Sequence, residues 1–132
     1  LPAVIAADQA AIGAAREALL TSLFQRAPHL AWISTAAPTA FCLGRAGAQF
    51  TQIGPVVAPD PNTAQNLVHA ALAALGGQPA LLDVPDFQAD LRETLKTRGF
   101  MDQRTLMRMG WKTPPPPGPI PTLFAIAGPE FG

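Results

Sequence analysis

With 132 residues, 48% of them apolar and only 14% charged, the chain is long enough to bury one core and too apolar to stay disordered throughout. Nine basic side chains balance nine acidic ones, so no net field steers it onto nucleic acid or an anionic membrane. The single cysteine, Cys42, excludes an internal disulfide, and no stretch approaches the ~18 continuous apolar residues of a membrane span.

From Leu1 to Ala27 the spacing of Ile12, Leu19, Leu20, Leu23 and Phe24 predicts helix. Gly13 divides it in two, Asp8 is placed to cap the second piece, and Pro28 ends it. Leu30 to Ser34 and Thr39 to Leu43 read as short strands around a turn at Pro38, and Arg45-Ala46-Gly47 supplies the next reversal. Phe50 to Ala58 is a third strand, which makes an antiparallel meander. Within it Gly54-Pro55 predicts a break in pairing, because proline lacks a ladder donor and glycine marks a bulge or a close backbone approach. Cys42 lies in an apolar run and reads as a small buried hydrophobe.

The next helix is well specified: Asp60 at the cap, Pro61 at its first position, Ala64, Leu67, Val68, Ala71, Leu72 and Leu75 on one face, and Gly76-Gly77 as the stop. A strand that enters a helix N-terminus this abruptly is suited to an anionic cofactor. Ala80 to Val84 is a second buried strand, parallel to the one before, so the centre is a βαβ unit. Asp86 is then expected to cap a helix carrying Phe87, Leu91 and Leu95, closed by Gly99. Phe100 to Trp111 alternates as a strand, with Thr105, Met107, Met109 and Trp111 on one side and Arg104 and Arg108 on a solvated side. Residues 113–121, with six prolines, form an extended connector before a last strand, Leu123 to Ala127. His29 and His69 read as structural or solvent-facing, and no metal site is expected. Asp83 and Asp86 stand where ligands gather in open α/β sheets; Asp83 is the candidate catalytic base or substrate contact, since capping accounts for Asp86.

The order helix, three antiparallel strands, helix, strand, helix and two closing strands resembles the GNAT (GCN5-related) N-acetyltransferases. Val57-Ala58-Pro59-Asp60-Pro61-Asn62 looks like the end of that family's fourth strand, and Arg98-Gly99-Phe100 is similar to its Leu-Gly-Phe. Gln52-Ile53-Gly54-Pro55-Val56-Val57, Leu82-Asp83-Val84-Pro85-Asp86 and Ala127 to Gly132 resemble the divergent C-terminal module of two-part bacterial GNAT proteins. A start at Leu1-Pro2 instead of a methionine fits such a module of a longer polypeptide.

The resemblance implies an α/β fold of the α+β GNAT type: a mixed, mostly antiparallel sheet with a central parallel pair, helices on both faces and the family's first strand missing, in a single domain over 1–132. It implies acetyl-CoA as co-substrate. Backbone of Ile53, Val56 and Val57 would meet the pantetheine, and Asn62, Thr63 and Ala64 the pyrophosphate, in a slot left where the two parallel strands part beyond Gly54. The acceptor would be a small-molecule or peptide amine, in the cytoplasm, with no nucleic acid or membrane involved. Departures are local. Gln65 and Leu67 replace the loop glycines, Leu95 stands at the position of the family's tyrosine acid, and Gln88 stands where asparagine is frequent. These departures frame the alternative, a non-catalytic module that packs against another acetyltransferase domain and shapes its substrate pocket. Such a module leaves an apolar face or strand edge open, so a homodimer or a partner GNAT domain is expected. A proline-tract interaction protein ranks last.

Overall fold

The computed structural model describes residues 1–113 and 120–131. Helix α1 (Pro2–Ile12) stops where Gly13 adopts a left-handed φ of 77° and donates its N–H to the Gln9 carbonyl. Helix α2 (Glu17–Arg26) follows after a short turn and ends before a 3-10 turn at Pro28–Leu30. Asp8 does not cap α2, as the sequence had suggested. It lies inside α1, wholly buried, and accepts hydrogen bonds from Arg16 Nε at 3.0 Å and Nη2 at 2.7 Å. A carboxylate on the inward stripe of a helix must be paired, and the break at Gly13 brings Arg16 back to pair it.

Strands β1 (Trp32–Ile33), β2 (Phe41–Ala46) and β3 (Thr51–Val57) form the expected antiparallel meander. β2 runs past Leu43 as far as Ala46, so the reversal falls one step later, with the Gly47 N–H donating to the Phe50 carbonyl at 3.0 Å. Between the pairs Cys42↔Val56 and Gly44↔Ile53 two residues of β3, Gly54 and Pro55, oppose the single Leu43. This is the predicted bulge. Helix α3 (Pro61–Leu75) then crosses over to β4 (Ala80–Leu81), which runs parallel to β3 in the register Thr51↔Ala80 and Gln52↔Leu81. Helix α4 (Ala89–Thr97) and β5 (Leu123–Ala125) complete the described elements.

The sheet is covered on both faces because alternate residues of its strands point to opposite sides. Cys42, Ile53, Val56 and Phe124 pack with Leu67, Val68, Ala71, Leu91 and Leu95 of α3 and α4. Phe41, Leu43, Val57 and Leu123 pack with Val4, Leu20 and Leu23 of α1 and α2. Cys42 is fully buried, and desolvation pushes its thiol far above the ordinary range, so it serves as core and not as a nucleophile.

Three expectations fail in the second half. Asp86 is not a cap: Pro85 to Gln88 forms a turn closed by the Gln88 N–H on the Pro85 carbonyl, and α4 starts at Ala89 with no side-chain cap. That turn displaces Phe87 from the helix face and leaves it exposed. Phe100 to Trp111 forms no strand, because none of the described strands offers it a free edge in register; its residues run extended in solvent. Most of the predicted proline connector falls on residues 114–119, outside the described residues.

Candidate functional site

The centre of interest is the seam between β3 and β4. The two strands share only two register pairs, both before the bulge. Beyond Gln52 the edge of β3 is taken over by β5, which pairs antiparallel through Val56↔Ala125 and Val57↔Leu123. The ladder continues with the Ala58 N–H on the Thr122 carbonyl at 3.0 Å. On its other side the segment is tied to the β4 strand end, where the Ile126 N–H donates to the Asp83 carbonyl at 3.0 Å. The strands do part, as expected from the sequence, and the C-terminal strand occupies the parting.

Gly54 makes this possible. At φ 151° it brings its backbone so close to the tail that an added Cβ would stand 2.0 Å from the Ile126 carbonyl oxygen. Only glycine fits between the bulge and the tail. Gln88 clamps the far side, its amide donating to the carbonyls of Pro121 at 3.0 Å and Leu123 at 2.8 Å. The tail beyond is pinned by charge: Arg45 pairs with Glu130 and lies over the Phe131 ring at 5.5 Å, and Arg16 donates to the Phe131 carbonyl at 3.1 Å. Its own backbone N–H and, against some burial, the Arg45 guanidinium hold the Glu130 carboxyl below the usual range.

The residues singled out in the sequence are distributed around this seam. Ile53, Val56 and Val57 are buried in the core, and the outer edge of Val56 and Val57 is engaged by β5. Asn62, Thr63 and Ala64 open α3, where the donors are already directed inward. Asp60 accepts from the Thr63 N–H at 2.9 Å and the Thr63 hydroxyl at 2.7 Å, and its carbonyl accepts from the Ala64 N–H. Pro61 has no N–H to offer. Asp83 sits at the end of β4 and accepts from Gln52 Nε2 at 3.2 Å, which holds the two parallel strands together as they diverge. His69 accepts from Arg98 across α3 and α4 at 2.6 Å on an exposed surface, and His29 faces solvent. Among the described residues no three of His, Cys, Asp and Glu converge as metal ligands, and no helix is long and apolar enough to cross a membrane.

The sequence reading missed Arg16, Arg45 and the Gln88 clamp. Their partners lie 8, 85 and 35 residues away, with no periodicity linking them. Asp60, by contrast, behaves as its cap position demands, and the Thr63 bonds lower its pKa. A group with a depressed folded pKa contributes stability above its unfolded pKa, and loses it as pH falls through the folded value. The melting temperature is therefore expected to fall between about pH 4 and pH 2 partly through Asp60. Asp60→Asn, which keeps a capping oxygen, should flatten that slope; an unchanged slope in thermal melts would refute the assignment.

As geometry, this is a bulged strand leading into a capped helix, a parallel neighbour reached by that helix, and a divergence of the two strands at the bulge. The family described as "Acetyltransferase (GNAT) domain" matches the sequence over residues 4–125. No curated protein and no solved structure matches it significantly. Since the match runs through every element that builds the seam, from α1 to β5, the chain belongs to the GNAT acetyltransferase domain family.

Proposed function

We propose that the chain serves amine acetylation as a non-catalytic GNAT module, packing against an acetyltransferase module and shaping that module's amine pocket. One observation carries this reading: the backbone edge of β3 past the bulge, which a pantetheine arm would need, is hydrogen-bonded to β5. The helix end that a pyrophosphate would need is spent on the Asp60 carboxylate, an anion that repels another. Leu95, at the position of the family's tyrosine acid, is buried, and the chain contains no tyrosine. The residues present do not fit acetyl-CoA in this arrangement, and no transfer step is derived through it.

The expected result is that acetyl-CoA at millimolar concentration leaves the melting temperature unchanged. A ligand bound with a Kd one hundredth of its concentration would add about 2.7 kcal/mol to stability, a rise of several degrees. Such a rise would overturn the proposal.

A second reading is favoured by the two-pair contact of β3 with β4, since the seam opens to its base once β5 leaves. In it the chain transfers the acetyl group itself: Ile53, Val56 and Val57 meet the pantetheine, Asn62, Thr63 and Ala64 meet the pyrophosphate, and Asp83, freed from Gln52, takes the amine proton. This reading requires acetyl-CoA to stabilise the protein while accelerating amide exchange at residues 123–126.

A further inference from the structure

The segment after α4 carries the most exposed large side chains of the molecule. Met101 is 78% exposed, Met107 and Met109 85% each, and Trp111 86%. Thr105, Met107, Met109 and Trp111 occupy alternate positions, the pattern of a strand with one apolar side, yet the segment pairs with no described strand. It runs along the rim of a trough of about 1340 Å³ whose wall is the β4 strand end and the turn beyond it. Leu81, Leu82, Val84 and Phe87 give that wall an apolar surface, and Asp83, Asp86 and Glu130 make it acidic. Arg92 and Lys96, at the α4 end, face Asp86 and Asp102 at 3.7 to 3.9 Å.

An occupant that matches this wall must be an extended chain with apolar side chains on one side and basic ones near the carboxylates. Residues 103–113 answer that description. They carry Arg104, Arg108 and Lys112 and no carboxylate. Within one chain they border the trough without filling it, so the complement is present and unused. We propose that residues 103–111 are an exchange arm that docks as a strand in the β4 trough of a second copy of this chain. Two-fold symmetry lets each copy offer its arm and receive the other's. The same patches are then used on both sides, and assembly stops at the dimer. Docking hides the Met and Trp side chains and puts Arg104 and Arg108 beside Asp83, Asp86 and Glu130. The free outer edge of β4 gains the ladder partner it lacks. The proposal is independent of whether acetyl-CoA binds.

Sedimentation of the wild-type chain over a hundredfold concentration range is expected to reveal a dimer that Met107→Asp/Met109→Asp converts to monomer. Both positions are exposed, so circular dichroism of the variant should match the wild type. Oxidation of Leu82→Cys/Met107→Cys is expected to yield a disulfide-linked species of doubled mass, with buried Cys42 taking no part. Three outcomes overturn the proposal: a wild-type monomer throughout, a dimer that survives the double aspartate variant, or a disulfide formed within one chain, which would mean the arm closes on its own trough.

Discussion

Gly54→Ala is expected to destabilise the protein by about 3 kcal/mol or more, the combined cost of a left-handed φ and a collision with backbone. At φ 151° a side chain is strained in any surroundings, and here the added carbon would meet the Ile126 oxygen at 2.0 Å and its carbonyl carbon at 3.0 Å. Neither atom belongs to a flexible side chain that could swing aside. Either the bulge must flatten, which undoes the Cys42↔Val56 and Gly44↔Ile53 registers, or the tail must leave the seam and expose Val56 and Phe124. Gly13→Ala is the control: it also sits at positive φ, 77°, but nothing lies within 4 Å of its added carbon. Its cost should be about 1 kcal/mol. Urea denaturation of the two variants decides the matter, and equal losses would mean that the tail does not press on the bulge.

Arg16→Met should cost about 3–5 kcal/mol, because it strands a buried carboxylate. Asp8 has no exposed surface, and both of its oxygens are bonded to Arg16. The companion double variant Asp8→Leu/Arg16→Met tests the cause. With both charges gone the site becomes apolar next to Leu20 and Leu23, and most of the loss should be recovered, leaving the smaller contribution of the Arg16 bond to the Phe131 carbonyl. If the double variant is no more stable than Arg16→Met, the pair is not the reason Arg16 is needed.

The two substitutions act on one arrangement from opposite ends. Gly54 lets the tail into the seam, and Arg16, with Arg45, holds its far end down. A transferase needs that seam for its thioester; this chain closes it with its own last strand, fastened by Gln88 on the outer edge. Closure is therefore distributed over several contacts and is not the effect of one plugging side chain.

Much was legible in the residue order alone. The helix breaks at Gly13 and Pro28, the Asp60-Pro61 start and Gly76 stop of α3, the Gly54-Pro55 bulge, the parallel β3–β4 crossover and the family all followed from local chemistry. Caps, turns and bulges are set by residues within a few positions of one another, so their signals lie close together in the chain. What only the folded molecule decided is who sits beside β3 after the bulge, and which charges meet. Asp8 looked like a cap because the partner that buries it, Arg16, lies across a helix break; Phe100 to Trp111 looked like a paired strand because alternation tells which side chains are apolar and nothing about where an edge is free. Likewise the slot implied by the splay is filled by residues some 70 positions later in the chain. Strand edges are recognised by backbone hydrogen bonds, which every residue but proline offers alike, so sequence marks where an edge opens and only three-dimensional packing selects its occupant.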